Sequence, residues 1–131
     1  MAVQSPDQMT AAFQAAYNAR DKAALMQLYA ADAVHTFDGA IVSNGRPAIS
    51  AAFDRGFTGP TLLRGKTLSC LVSRDTALMR VLWQSLNPDG SVRREHVSCE
   101  VVARGADSLW RYVIDDATGG LRAAAPVPGD G

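Results

Sequence analysis

The chain has 131 residues, of which 47% are hydrophobic and 20% charged, and its thirteen basic residues balance its thirteen acidic ones. That is one domain with enough apolar side chains to bury a core. Balanced charge without a basic run excludes the electrostatic footprint of a nucleic-acid binder, and no apolar run is long enough to span a membrane.

The opening residues Met1-Ala2-Val3-Gln4-Ser5 lack the basic and apolar regions of a signal peptide. The two cysteines, Cys70 and Cys99, both lie in apolar runs and read as buried free thiols of a reducing compartment. A cytoplasmic protein is expected. Two histidines without paired-ligand spacing predict no metal, and there is no cofactor motif.

Ser5-Pro6-Asp7-Gln8 has the form of a helix start, with Ser5 as cap, Pro6 in the first turn and Gln8 closing a capping box. Met9, Ala12, Phe13, Ala16 and Tyr17 then recur at helical spacing. Asp21 caps a second predicted helix with Leu25, Leu28 and Tyr29 as its buried stripe. The period changes at Ala33-Val34-His35-Thr36-Phe37, a short strand, and Asp38-Gly39 signals a two-residue turn into Ala40-Ile41-Val42-Ser43. Asn44-Gly45-Arg46-Pro47 leads into a third helix with Ile49, Phe53 and Phe57 at steps of four, ended by Gly59-Pro60.

Four longer strands follow at 62–73, 76–86, 91–104 and 109–116, separated by short turns that imply an antiparallel meander. The domain is expected to occupy residues 1–118, with a flexible tail at 119–131 rich in Gly and Pro. The fold class is α+β, helices packed on one face of a curved sheet.

Alternation along the strands sorts residues onto two faces. With Asp89-Gly90 as a turn, Leu82 opposes Val97 and Arg80 opposes Cys99. Leu78, Arg80, Leu82, Gln84 and Leu86 then share a face with Glu95, Val97, Cys99, Val101 and Ala103, while Met79, Val81, Trp83, His96, Ser98 and Glu100 take the other. The first face is the more apolar and is expected to look inward. Trp110, Tyr112 and Ile114 of the last strand should join it, with Asp116 inward by parity and Asp115 outward. Arg80, on that face, needs a carboxylate such as Asp116 or Glu95, or else reaches water at the sheet edge.

The ordered segments Tyr17-Asn18-Ala19-Arg20-Asp21, Leu28-Tyr29-Ala30-Ala31-Asp32-Ala33-Val34, Asp38-Gly39, Gly45-Arg46-Pro47-Ala48-Ile49 and Trp110-Arg111-Tyr112-Val113-Ile114-Asp115 carry a resemblance. Over roughly residues 6–118 the chain resembles the SnoaL-like and ketosteroid-isomerase-like proteins of the nuclear transport factor 2 superfamily. It is most similar to uncharacterised members found among polyketide-biosynthesis accessory proteins. The resemblance implies a cone: a curved antiparallel sheet wrapped around three N-terminal helices, with an interior cavity. It also implies a homodimer through the outer sheet face, where Met79, Val81 and Trp83 are expected. Ketosteroid isomerases use a Tyr and two Asp at places where this chain has Phe13, Phe37 and Cys99. A phenyl ring neither donates nor abstracts a proton, so that mechanism is not expected.

The remaining candidates for chemistry are His35, Tyr17, Asp116 and Arg80. His35 is a general acid/base near neutral pH or a core histidine with one structural hydrogen bond. Tyr17 donates to a ligand carbonyl, or is a core residue with a wet tip. Asp116, with Asp115 beside it, orients His35 or pairs Arg80, or merely ends the sheet. Phe13, Phe37, Phe53, Phe57, Leu82, Gln84, Cys99, Val101, Trp110, Tyr112 and Ile114 are expected to line the pocket. Three functions follow. The first is a protein that binds a hydrophobic, cyclic or polyketide-like small molecule without turnover. The second is a cofactor-independent isomerase, cyclase or dehydratase using His35, with Tyr17 or Arg80 polarising a carbonyl. The third is a structural dimer with a filled cavity. No cofactor, metal, nucleic acid or membrane partner is expected.

Overall fold

Three helices lie against a curved, unclosed six-stranded sheet in the computed structural model, which describes residues 2–119. The tail expected at 119–131 falls, from residue 120 on, outside the described residues. In chain order come a 3-10 turn (Pro6–Gln8), α1 (Met9–Asn18), α2 (Lys22–Met26), β1 (Tyr29–Thr36), β2 (Val42–Asn44) and α3 (Arg46–Gly56). The strands β3 (Leu62–Ser73), β4 (Thr76–Leu86), β5 (Val92–Arg104) and β6 (Trp110–Asp116) follow. The sheet order is β2-β1-β6-β5-β4-β3. The four long strands form the antiparallel meander that their short turns imply, and β1 joins β6 in parallel.

Local chemistry accounts for most boundaries. Asp21 accepts a hydrogen bond from the Ala24 N–H at 3.0 Å and so caps α2. Ser5 makes no cap bond; its hydroxyl turns to Asp7, and Gln8 Oε1 accepts from Gln4 N at 3.1 Å, so the predicted capping box is replaced by a 3-10 turn. The helix expected to reach Tyr29 stops at Met26, and Tyr29 opens β1, fully buried all the same. The two-residue turn expected at Asp38-Gly39 is the five-residue loop 37–41, because β1 ends at Thr36 and pairs it with Val42. Asp38 Oδ1 accepts from the N–H groups of Ala40 and Ile41, an Asx turn in place of a tight hairpin.

The pairing of β4 with β5 is the one read from the sequence, Leu82 opposite Val97 and Arg80 opposite Cys99. The face that looks inward is the other one. Ala77, Met79, Val81, Trp83, Ser98, Glu100 and Val102 are buried under the helices, whereas Leu78, Arg80 and Glu95 are exposed and Leu82, Gln84, Val97, Cys99 and Val101 are half-buried on the outside. Counting apolar residues selects the wrong face because the outer face is itself hydrocarbon-rich, while the inner one carries the polar groups of a site. Trp83 reaches across β3 over Gly65, its register partner, where an added Cβ would lie 2.6 Å from the indole ring. Met79, Val81 and Trp83 are therefore core residues and not part of an outer contact surface. Cys70 and Cys99 are free and half-buried.

The last strand departs from simple alternation. Tyr112 pairs with Val102, but Ile114 pairs with Val101, leaving Val113 as the extra residue of a β-bulge. Beyond the bulge every side chain changes face. Trp110 and Tyr112 are buried as expected, but Ile114 is 49% exposed and Asp115 is buried. Asp116 turns outward and accepts from the Thr118 N–H and hydroxyl at 3.0 and 2.7 Å. The inward and outward acids are thus the reverse of the parity reading.

Candidate functional site

Between the helices and the concave sheet face lies a cavity of about 190 Å³. Its walls are the rings of Phe13, Tyr17, Phe37, Phe53, Trp83 and Tyr112, with Leu63 and Ala117. These rings brace one another: Phe13 lies 5.2 Å from Trp83 and 6.0 Å from Phe53, and Phe37 meets Phe53 at 4.9 Å. One side of the cavity is polar, made by His35, Ser85, His96, Ser98, Glu100 and Asp115. Ring packing of this kind fixes the walls, and the polar groups stand in surroundings of low dielectric.

The polar side is built by three adjacent strands. Glu100 on β5 is the register partner of Asp115 on β6, which is paired in turn with His35 on β1. All three are buried, His35 and Glu100 to 2% exposure. The Tyr29 hydroxyl donates to Asp115 Oδ2 at 2.5 Å, and His35 Nε2 faces the same oxygen at 3.8 Å. A second relay runs from the Trp83 indole N–H to Ser98 Oγ at 3.1 Å, and Ser98 Oγ donates to Glu100 Oε1. Two buried polar atoms have no hydrogen-bond partner among the described residues: His35 Nδ1 and Glu100 Oε2.

Electrostatics divides the labour between the two acids. Burial and the neighbouring Asp115 push the Glu100 carboxyl up to about 8, so it is protonated at neutral pH. Burial raises Asp115 too, but His35 and the Tyr29 hydroxyl both favour its ionised form. Burial therefore favours one shared proton on the pair at neutral pH, and the contacts of Asp115 with His35 and the Tyr29 hydroxyl bias it toward Glu100. Because Ser98 donates to Oε1, the proton belongs on Oε2, the unpartnered oxygen. Burial lowers His35, against the pull of Asp115 and Asp116, and keeps the imidazole neutral. The Asp115 carboxylate 3.8 Å from Nε2 favours the ring proton on that nitrogen, which leaves the lone pair to Nδ1. The cavity therefore presents one acid and one base.

Of the residues proposed from sequence, His35, Tyr17, Phe13, Phe37, Phe53 and Tyr112 line the cavity. Tyr17 donates only a long 3.4 Å bond to the Gly56 carbonyl and serves as wall. Phe57 and Trp110 pack behind the lining, Phe57 against Tyr17 at 5.3 Å and Trp110 beside the bridge to Val3. Arg80, Asp116, Leu82, Gln84, Cys99, Val101 and Ile114 are corrected to the outer side, the strands' alternation and the bulge at Val113 placing them there. Gln84 joins an exposed ladder, accepting from Arg64 at 2.7 Å and donating to Glu95 at 2.8 Å. The groups missed were Glu100, Ser98, His96 and Trp83, while Asp115, named beside Asp116, was expected to face outward. Their signal was present as His96, Ser98 and Glu100 at alternate positions of one strand, on the face expected to look outward. Cys99 also misleads as the counterpart of a catalytic acid, since the acid facing inward is its neighbour Glu100.

A curved open sheet with three helices in its concavity and polar groups enclosed between them defines the nuclear transport factor 2-like class. Within it this chain belongs to the SnoaL-like domain family, whose profile matches residues 10–114. The fold is similar to that of a Thiobacillus denitrificans ATCC 25259 protein described as a calcium/calmodulin-dependent protein kinase type II association domain. The two share 25% identity over 88% of this chain and 95% of that one, with a TM-score of 0.78. An NTF-2 like protein from Shewanella oneidensis MR-1 follows, at 18% identity over 84% and 93% of the two chains and a TM-score of 0.70. A Catenulispora acidiphila protein in complex with S-DNPA has 18% identity over 83% and 86%, and a TM-score of 0.68. No curated protein matches the chain. No helix among the described residues is long and apolar enough to cross a membrane, and these residues contain no group of His, Cys, Asp and Glu able to hold a metal ion.

Proposed function

We propose that the cavity binds an apolar small molecule and moves a proton on it without a cofactor, in the manner of an isomerase or cyclase. The observation that carries this reading is the pair of buried, unpartnered atoms Glu100 Oε2 and His35 Nδ1, on two residues that line one aromatic-walled cavity. Unsatisfied buried polar groups are costly, and a ligand that satisfies both repays that cost on binding. Glu100 donates to a ligand carbonyl oxygen while His35 Nδ1 takes the proton from the adjacent carbon. The C–H electron pair becomes the enolate C=C bond as the carbonyl π pair moves onto oxygen, where the Glu100 hydrogen bond stabilises it, and the imidazolium, held by Asp115, returns the proton to carbon as the carbonyl re-forms. Glu100 thereby takes the polarising role first assigned to Tyr17 or Arg80.

The test is proton exchange at carbon. Cyclohexanone and 2-cyclohexenone incubated with the protein in D₂O should lose their α-proton NMR signals faster than with buffer alone. The rate should fall at least tenfold in His35→Ala and in Glu100→Gln, and should decline above about pH 8 as Glu100 ionises. Exchange at the buffer rate with wild-type protein, in the presence of saturable binding, reduces the function to ligand binding alone.

The outer sheet face supports a homodimer in this reading. Leu71 is 68% exposed there, Leu78 41% and Ile114 49%, more hydrocarbon than one isolated side chain requires. Sedimentation of wild type against Leu71→Glu/Leu78→Glu decides it; a monomeric wild type would remove the dimer.

A further inference from the structure

The size and charge of the cavity narrow the ligand beyond an apolar small molecule. We propose that it is a neutral, single-ring compound bearing one hydroxyl or enol group; this rests on the reading of the cavity as a ligand site.

Size sets the ring count. The cavity measures about 190 Å³. An apolar protein cavity of about 150 Å³ holds one benzene, so the space within these walls takes one ring with roughly two or three more atoms, and any further ring would lie outside it. The walls do not give way easily. Phe13 is wedged between Trp83 at 5.2 Å and Phe53 at 6.0 Å, with the edge of Tyr112 at 6.2 Å, and Trp83 lies against Gly65. Making room for three fused rings would push these side chains out of a close-packed core.

The lining sets the charge. Among the described residues no Lys or Arg lines the cavity, while Glu100 and Asp115 do and Asp116 acts on both from outside. A ligand carboxylate would enter beside like charge with no counter-ion, a costly burial. A ligand ammonium offers three donors but no acceptor for the Glu100 proton. Of the two unpartnered atoms, the carboxyl oxygen offers a donor and the imidazole nitrogen an acceptor, and a hydroxyl is the neutral group that supplies both complementary roles. Its oxygen accepts from Glu100 Oε2 and its proton goes to His35 Nδ1.

Trp83 provides a site-specific reporter, because its indole N–H bonds Ser98 at the cavity wall while Trp110 lies behind the lining. Wild-type protein labelled with ¹⁵N is titrated with benzyl alcohol, benzylamine, benzoate and 9-anthracenemethanol, following both indole resonances. Benzyl alcohol should shift Trp83 saturably and leave Trp110 in place; the other three should bind at least tenfold more weakly. Raising the pH from 7 to 9 should weaken benzyl alcohol several-fold as the donor is lost. Benzoate or benzylamine equalling benzyl alcohol overturns the charge assignment. Equal binding of 9-anthracenemethanol overturns the size limit while leaving the ligand site standing. If no compound moves Trp83, the inference and the reading of the cavity fall together, and a pH-independent affinity removes Glu100 as donor.

Discussion

Replacing Glu100 by Gln should change how stability responds to pH more than it changes stability at any one pH. The Glu100 carboxyl lies near 4.5 when unperturbed and near 8 in the fold, so the folded state binds a proton that the unfolded chain releases between those values. Stability is then full below pH 4.5 and declines as pH rises toward 8, the slope following the difference in bound protons. A displacement of that size corresponds to at most about 5 kcal/mol, at about 1.4 kcal/mol for each pH unit. Water drawn toward the ionised carboxylate relieves part of the penalty, leaving an expected effect of roughly 2–4 kcal/mol. Gln keeps the shape and cannot ionise. Urea unfolding of both proteins at pH 5, 6, 7, 8 and 9 should give nearly equal stabilities at pH 5 and a Gln variant ahead by roughly that amount at pH 9. Taking the difference cancels the opposite trend from His35, whose lowered value costs stability at acid pH. A difference that does not vary with pH would refute the buried, protonated acid and with it the division of roles between Glu100 and Asp115.

Tyr29→Phe removes the 2.5 Å hydrogen bond to Asp115 while leaving the ring in place. A loss of about 1.5–3 kcal/mol is expected at pH 8, measured by urea unfolding, because a charged acceptor loses its donor. Gly65→Ala puts a methyl group 2.6 Å from the Trp83 ring and 2.8 Å from Thr10. It should cost about 1–3 kcal/mol and move the Trp83 fluorescence maximum, and an unshifted spectrum would mean that the ring does not rest on Gly65. Phe53→Ala empties a fully buried position that touches Phe13, Tyr29, His35 and Phe37. Thermal unfolding should register a loss of about 3–5 kcal/mol.

Element order was legible because it is written in local rules. Helical spacing from Met9 to Tyr17, the Asp21 cap and the turn residues at Asn87-Pro88-Asp89-Gly90 act within a few positions of themselves. The register of β4 on β5 followed from the same turn. The choice of face did not follow, since it is a competition between two surfaces of one sheet. Both surfaces carry hydrocarbon, and only the packing of α1 and α3 decides which one is covered.

The polar wall of the cavity fell on the far side of that decision. From sequence, His96, Ser98 and Glu100 look like a solvated polar face, because polar residues on a strand usually point to water. Ser98 and Glu100 are buried here and His96 half-buried, because Trp83 and the helices cover them together with His35 and Asp115. Asp115 shows the limit most plainly. Alternation alone sends Asp116 inward and Asp115 outward, and one extra residue at Val113 exchanges them. The sequence alone determined the α+β order, the family and His35 as a candidate. Only the tertiary structure decided which acid meets it, because a bulge is a compromise among three strands that no single strand records.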